Sequence, residues 1–365
     1  MSKACREAER RVLSLLHGRK TRTHLSQIHG HLLRHGLGQF NQVLAHFVSV
    51  CWSLDKMSYA NRVFDQTHNP NILLFNSMIK GFSICEPFEQ SLYMFSLMKD
   101  RGICPDEYTY APLLKSCSNI CDHRLGQCVH GQILRGGFEC FSSIRIGVID
   151  LYVTCGKMED ARKVFDWLSH RDVIVWNLMV RGFCKTGDVD TGLYLFRQMG
   201  ERNVVSWNSM ISCLAQCGRD TEALELFREM LDQRFEPDEA TVVAVLPACA
   251  HLGDVEVGKW IHSYTDSIGL LKQVVSVGNS LINFYCKCGD LDAACSIFDQ
   301  MPRKNVVSWN TLISGYAFNG RGELGIDFFE KMMNKEEGRW DEVEKVRDLM
   351  RENCIKKAPG QSAIG

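Results

Sequence analysis

Five asparagines recur in a common phase along this 365-residue chain and could recognise a partner by hydrogen bonding. They are Asn76, Asn177, Asn208, Asn279 and Asn310. Four directly follow a Phe or Trp, and these four are separated by 101, 31 and 102 residues. A single asparagine more often caps or bridges a backbone turn. Five in one phase favour recognition instead, because an amide both donates and accepts hydrogen bonds.

No comparable set of residues indicates catalysis or metal binding. The best thiol cluster is Cys117, Cys121, Cys128 and His130, but the chain has no C-x-x-C pair, so structural thiols are favoured over a zinc site. The seventeen cysteines are expected to be reduced and mostly buried. No His is followed two residues later by Glu, as a zinc deaminase requires, and no phosphate-binding loop occurs. We therefore expect no enzyme activity, no metal and no cofactor.

The bulk composition limits the class of partner and the compartment. The formal charge of −1 excludes a global basic field, so any nucleic acid must bind a local surface. The absence of an apolar run of 18 residues predicts no membrane span. Between Arg10 and Leu54 there is no Asp or Glu but several Arg, which suits organelle import. The mitochondrion is the expected compartment, with the chloroplast as the alternative.

The asparagines lie in a repeat that predicts helical hairpins. In residues 204–238, apolar residues at helical spacing form two runs, which are separated at Cys217-Gly218 and end near Pro237. Position 20 is small and position 24 is Phe in most copies. The units in this register are 41–71, 72–106, 107–141, 142–172, 173–203, 204–238, 239–274, 275–305 and 306 to about 337. Because one hairpin cannot bury its apolar face, the fold class predicted is an all-α solenoid of stacked helix-turn-helix units.

These units resemble the pentatricopeptide repeat. Residues 204–238 read VVSWNSMISCLAQCGRDTEALELFREMLDQRFEPD, and the 72–106 unit ends in GICPD. The tetratricopeptide opening W-x₂-L-G-x₂-Y is absent. The mixture of 31-, 35- and 36-residue units resembles the plant PLS subclass, and residues 338–365 resemble its E-type tail. The resemblance implies a right-handed solenoid over residues 41–337, preceded by a degenerate unit in 1–40. Near residue 337 the last unit runs directly into the tail, which suggests an internal deletion.

The resemblance also implies how RNA would be bound. In this family position 5 and the last position of a unit read one base, and position 2 wedges between bases. The base-reading pairs are then Asn76 with Asp106, Asn177 with Asn203, Asn208 with Asp238, and Asn279 with Asn305, with Asn310 as a fifth reader. The wedges are Leu73, Ile174, Val205 and Val307, with Ser276 a poorer one. Asn/Asp resembles the uracil code and Asn/Asn a looser pyrimidine code, so the expected preference is U-x-x-Y-U-x-Y-Y.

The function that follows from this resemblance is selective binding of single-stranded organellar RNA. The E-like tail implies a specificity factor for C-to-U editing that works with a deaminase-bearing partner and accessory proteins. Two alternatives are an RNA stabilisation or splicing factor, and a protein-interaction scaffold of the tetratricopeptide type.

Overall fold

The protein is described by a computed structural model that covers residues 21–168 and 171–335, and this part of the chain is α-helical without strands. The chain forms two compact blocks, of which the first ends at Gly187 and the second begins at Asp188. Residues 1–20, which include the start of the acid-poor N-terminal segment, and the E-like tail 338–365 lie outside the described residues.

In the N-terminal block, two helices form each hairpin and a short 3₁₀ turn at Phe138–Cys140 follows α7. The helices are α1 Arg22–Arg34, α2 Asn41–Ser53, α3 Met57–Asp65, α4 Ile72–Ile84, α5 Glu89–Asp100, α6 Glu107–Ile120, α7 His123–Gly136, α8 Ser142–Thr154, α9 Met158–Trp167 and α10 Val173–Lys185. The first helices of successive units pack side by side, as α2 on α4, α4 on α6, and α6 on α8.

The C-terminal block has the same construction. Its helices are α11 Val189–Gln198, α12 Val204–Gln216, α13 Asp220–Asp232, α14 Glu239–Leu252, α15 Val255–Ser267, the short α16 Leu270–Gln273, α17 Val275–Lys287, α18 Leu291–Gln300, α19 Val306–Phe318 and α20 Gly322–Lys335. Again the first helices α12, α14, α17 and α19 contact one another in order. The predicted fold class, an all-α solenoid, is confirmed.

The last residue of most units is the N-cap of the first helix of the next unit. Its side chain accepts a hydrogen bond from a backbone N–H in the first turn, which satisfies one of the free donors there. This holds for Asn71, Asp106, Asp172, Asn203, Asp238 and Asn305. The position that the family resemblance assigns to base reading therefore also starts a helix.

The hairpin turn of the 204–238 unit agrees with the sequence prediction, but its second helix ends earlier than predicted. Gly218 has a φ of +73°, and its missing Cβ permits the turn between α12 and α13. Helix α13 ends at Asp232, followed by Arg234 with a φ of +63°. A left-handed residue, and not Pro237, thus terminates this helix.

Aromatic pairs connect the hairpins. Trp207 and Trp309 are buried, while Trp176 is half-buried. Each packs edge-on against a position-24 Phe, with ring centroids 4.7–5.0 Å apart in the Trp207–Phe196 and Trp309–Phe298 pairs. Edge-to-face contacts of this kind stabilise the pair beyond simple burial.

The prediction that most cysteines are buried is wrong for the described residues. No disulfide links the fifteen cysteines there, but only six of them are buried. Cys121 and Cys217, for example, are exposed because they lie at helix ends, where the chain turns away from the core. None of the helices in 21–168 and 171–335 is both long and apolar enough to cross a bilayer.

Candidate nucleic-acid interface

Asn76 belongs to a hydrogen-bonded triad that joins two consecutive units. Its Nδ2 donates to Oδ1 of Asp106 at 2.9 Å, although Asp106 lies thirty residues later. The hydroxyl of Thr109, one turn into α6, lies 2.6 Å from the Asn76 Oδ1. Asp106 and Thr109 also form a capping box, in which each backbone N–H is bound by the other side chain. The amide is therefore held on both of its polar atoms.

The same triad recurs in the C-terminal block. Asn208 Nδ2 donates to Asp238 Oδ1 at 2.8 Å, and the Thr241 hydroxyl lies 2.6 Å from Asn208 Oδ1. Asp238 and Thr241 form the capping box of α14. Asn208 is only 8% exposed, so most of this residue is enclosed by its neighbours. The same hydrogen-bonded arrangement is thus formed independently at two places in the chain.

Each triad retains one donor and one acceptor for an outside partner. The second N–H of the Asn208 amide and Oδ2 of Asp238 make no hydrogen bond to the described residues. A cleft of about 450 Å³ lies beside Asp238 and is lined also by Glu239, Ala240, Val243 and Ser276. Because Ala240 and Val243 are small or apolar, the cleft can accept a flat apolar surface next to the exposed carboxylate oxygen.

The Asn279 and Asn305 pair is looser. Asn279 Nδ2 lies 3.4 Å from Asn305 Oδ1, at the limit of a hydrogen bond. Asn305 Oδ1 already accepts from the backbone N–H and hydroxyl of Ser308, at 2.9 and 3.0 Å. Asn279 Oδ1 is buried and finds no donor among the described residues. This amide is consequently fixed at one end only.

The remaining predicted readers are Asn177 with Asn203, whose members lie in different blocks, and Asn310. Asn177 is half-buried on α10 at the end of the N-terminal block, whereas Asn203 caps α12 in the C-terminal block and binds the Ser206 N–H and hydroxyl. Asn310 is half-buried on α19, and its Oδ1 finds no donor among the described residues. The position that would complete its pair lies near residue 337, outside the described part.

The predicted wedges are exposed apolar side chains on the first helices. The exposed fractions are 45% for Leu73, 55% for Ile174, 56% for Val205 and 55% for Val307. Ser276 instead donates to Glu239 Oε1 at 2.6 Å, so it offers a polar surface. Each wedge lies three residues before its asparagine, and side chains at that spacing share a helix face.

Sequence reasoning missed two features on the same face of the N-terminal block. Tyr108 occupies position 2 of the 107–141 unit and is 70% exposed. This unit, an x in the expected base pattern, thus has the largest side chain at any wedge position. Three cations, Lys80, Lys115 and Arg181, all fall at position 9, one turn after position 5. In the sequence these three cations are 35 and 66 residues apart, which places them at the same position of their units and could have revealed them.

The cations at position 9 are partly paired. Asp150, at position 9 of the unit between them, lies 3.4 Å from Lys115 Nζ and 3.8 Å from an Arg181 guanidinium nitrogen. Both cations are more than half exposed, so the pairing is weak and screened by solvent. A local basic surface therefore lies beside the asparagine face, in a chain of almost zero net charge.

No group of three or more His, Cys, Asp and Glu side chains is arranged to hold a metal ion in the described ranges. Burial raises the pKa of the Cys117 thiol to about 12, and its neighbours Asp122 and Cys155 act in the same direction. A thiol of this kind is protonated at neutral pH and is a poor metal ligand.

Comparison with known proteins identifies the repeat family. The PPR repeat family matches residues 70–119 and 202–251, and the PPR repeat matches 174–204, 279–306 and 307–337. A pentatricopeptide repeat-containing protein of Arabidopsis thaliana is 63% identical over 91% of the chain and 68% of its own length. A second such Arabidopsis protein is 37% identical, over 90% of the chain and 61% of its own length. Two further Arabidopsis relatives, 38% and 32% identical, are named chloroplastic and mitochondrial respectively.

Among solved structures, the fold is similar to that of the maize pentatricopeptide repeat protein PPR10. The TM-score is 0.65 at 14% identity, over 93% of this chain and 49% of PPR10. PPR10 in complex with an 18-nt psaJ RNA element gives 0.64 at 13% identity, over 93% of this chain and 50% of PPR10. At these identities the likeness concerns the fold. On the strength of the repeat matches and the 63% identical relative, this chain belongs to the pentatricopeptide repeat family.

Proposed function

We propose that the protein binds single-stranded RNA and reads selected bases through its asparagine-centred pairs. The main support is that the Asn76–Asp106 and Asn208–Asp238 pairs have the same geometry and keep a donor and an acceptor for a partner. Both pairs share a helix face with an exposed apolar wedge, Leu73 or Val205. A base needs both features, because its edge forms hydrogen bonds and its faces are apolar.

The donor and acceptor of a triad match uracil. If the free Asn N–H meets a uracil carbonyl, the neighbouring Asp Oδ2 faces the N3–H of the ring. In cytosine N3 is an acceptor, so the same placement would bring two acceptors together. We therefore assign uracil to the 72–106 and 204–238 units, and a less selective pyrimidine to the 275–305 unit, where the Asn279 contact is 3.4 Å long.

The position-9 cations would bind the phosphate backbone. Lys80, Lys115 and Arg181 lie one turn from the base-reading position and are exposed. A phosphate backbone would displace their weak contacts with Asp150, because phosphate provides more charge and more acceptor oxygens. This surface explains how a chain with a net charge of −1 can bind a polyanion.

The wider role we propose is a non-enzymatic specificity factor for C-to-U editing in an organelle. The mixed unit lengths of 31, 35 and 36 residues and the E-like tail 338–365 support membership of the PLS subclass. A deaminase-bearing partner and accessory proteins would then supply the chemistry. The mitochondrion is the proposed compartment, from the acid-poor residues 10–54, and the relatives' names include both organelles.

Sequencing of RNA crosslinked to the protein in isolated organelles tests this function. Fragments with a U-x-x-Y-U-x-Y-Y pattern close to an edited cytidine should be enriched. The Asn76→Ala/Asn208→Ala protein should lose this pattern while remaining folded. If no RNA is enriched but a protein is captured, and the double variant captures it equally well, the protein-scaffold alternative replaces this proposal.

A further inference from the structure

The two Asn/Asp pairs share a third member that the family resemblance did not assign. Thr109 and Thr241 each occupy position 3 of the unit that follows a reading pair. Both threonines are fully buried, and the hydroxyl of each lies 2.6 Å from the Oδ1 of the asparagine in the preceding unit. The contact joins residues that are thirty-three positions apart, and it occurs once among the described residues of each block.

Counting donors and acceptors shows that the threonine hydroxyl donates its hydrogen bond to the asparagine carbonyl oxygen. Oδ1 of Asp238 already accepts from the Thr241 N–H at 2.9 Å and from Asn208 Nδ2 at 2.8 Å, which uses both of its lone pairs. The Thr241 oxygen accepts from the Asp238 N–H at 3.1 Å. Its single proton then points to Asn208 Oδ1 at 2.6 Å rather than to Asp238 Oδ1 at 3.0 Å.

This network allows one orientation of the amide. A reversed Asn208 would place its carbonyl oxygen against the Asp238 carboxylate and its NH₂ group against the Thr241 hydroxyl. The first contact would set two acceptors face to face, and the second would lose the short hydroxyl bond. The same reasoning applies to Asn76 with Asp106 and Thr109, because the distances agree within 0.1 Å.

The Asn279 pair provides a natural contrast within the chain. Position 3 of the following unit is Ser308, and its hydroxyl binds Asn305 Oδ1 rather than Asn279. Asn279 Oδ1 finds no donor in the described part of the chain. After an Asn/Asp pair, position 3 is a threonine whose hydroxyl binds the asparagine at position 5. After the Asn279–Asn305 pair, position 3 is a serine whose hydroxyl binds the last residue of the preceding unit instead.

We propose that Thr109 and Thr241 are positioning residues that orient the reading asparagines and so set the preference for uracil over cytosine. A fixed amide presents only its N–H to the base, which suits a uracil carbonyl. A reversible amide can also present its carbonyl oxygen, which accepts from the N4–H₂ group of cytosine. The proposal rests on the RNA-reading function proposed above, and it names the residues that determine its selectivity.

The test compares full-length proteins on two RNAs that differ only at the base opposite the 204–238 unit, uracil or cytosine. For Thr241→Val we expect the uracil-to-cytosine affinity ratio to fall about fivefold, the effect of one net hydrogen bond. Thr241→Ser keeps the hydroxyl and should retain the wild-type ratio. A loss of folded protein lowers both affinities by the same factor, so the ratio is insensitive to it.

Two control variants separate this inference from the function on which it rests. Ser308→Ala removes a hydroxyl at the same position of another unit, and should leave the ratio unchanged at the bases opposite the 204–238 and 275–305 units. Asn208→Ala should abolish discrimination at the base opposite its own unit. If Asn208→Ala abolishes discrimination but Thr241→Val keeps the wild-type ratio, the positioning role is refuted and the reading function stands. If Asn208→Ala also has no effect, the reading function itself fails.

Discussion

Asn208 and Asp238 are joined by a 2.8 Å hydrogen bond from the amide Nδ2 to the carboxylate, across thirty residues of sequence. Asp238 at the same time caps helix α14 through the Thr241 N–H. One carboxylate oxygen thus starts a helix and fixes a neighbouring amide, while the other oxygen remains available. This double role makes it possible to change recognition without changing the fold.

Asp238→Asn is expected to separate these two roles. Asparagine is as good an N-cap as aspartate, so the free energy of unfolding should change by less than about 0.5 kcal/mol. The available oxygen is replaced by an NH₂ group, as in the Asn279–Asn305 pair, so an acceptor becomes a donor and the preference for uracil over cytosine should decrease. Urea unfolding and RNA binding measure the two effects.

Asp238→Ala is the matched control, because it removes the cap and should cost about 1 kcal/mol of stability. If Asp238→Asn destabilised the protein as much as Asp238→Ala while leaving base selectivity unchanged, Asp238 would have a structural role only.

The wedge residues offer a second prediction. Val205 is 56% exposed, so Val205→Ala should change the free energy of unfolding by less than about 0.5 kcal/mol. If the two lost methyl groups contact a base, RNA affinity should fall roughly three- to tenfold. Val255→Ala removes the same groups from a second helix, α15, and should leave RNA affinity unchanged. Equal affinities of the two variants would contradict the wedge assignment.

The position-9 cations should determine the salt dependence of binding. Replacing Lys80, Lys115 and Arg181 together by alanine removes three phosphate contacts. The slope of log affinity against log salt should then become shallower by about 2, given roughly 0.7 per contact on single-stranded RNA. The matched control replaces Lys99, Arg162 and Lys163, which lie on second helices. An identical slope for the two triple variants would refute a phosphate role for position 9.

Two histidines should make stability dependent on pH. His130 and His262 lie 3.1 and 3.0 Å from the hydroxyls of Tyr152 and Tyr285 in the next unit. Burial lowers the pKa of both histidines below the usual 6.5, although Glu139 and Asp266 respectively oppose the shift. The unfolded chain therefore binds the proton more readily, and the free energy of unfolding should decrease as pH falls below about 6.5.

Thermal unfolding between about pH 7.5 and about 5.5 measures this effect. The variant with His130→Gln and His262→Gln lacks the two groups whose protonation favours the unfolded chain. Its melting temperature should consequently fall less over the same range. A variant that loses stability as steeply as wild type would exclude these histidines as the source.

The repeat period made most of the fold predictable. The spacing of small residues and Phe at positions 20 and 24 reports contacts between neighbouring helices, and those side chains are buried at Ala223 and Phe227. The end of α13 was not predictable, because nothing in the type of Arg234 reveals a left-handed backbone. The sequence showed only Pro237 as a helix-ending residue, and the helix ends before it, at Asp232.

For the candidate site, the sequence indicates which residues to propose but not the contacts between them. The phase of the asparagines indicates a common face, whereas the Thr241 hydroxyl reaches Asn208 across a unit boundary. The repeat pattern of one sequence shows which residue types recur at each position. It does not show that position 5 of one unit contacts position 3 of the next. Tyr108 was missed for a related reason, because position 5 of its unit is Ala111, which cannot hydrogen-bond a base, and no base preference was assigned to the unit.

A double-mutant cycle between a base and a residue tests the central claim most directly. The affinities of wild type, Asn76→Ala and Asn208→Ala are measured for an RNA with the expected pattern. They are measured again for two RNAs in which uracil is changed to adenine, opposite either the 72–106 or the 204–238 unit. We predict that each alanine removes discrimination only at the base opposite its own unit, a loss of about 1–3 kcal/mol. If the free-energy effects of the residue change and the base change simply add, neither asparagine is coupled to its base, and this result would contradict RNA reading by these pairs.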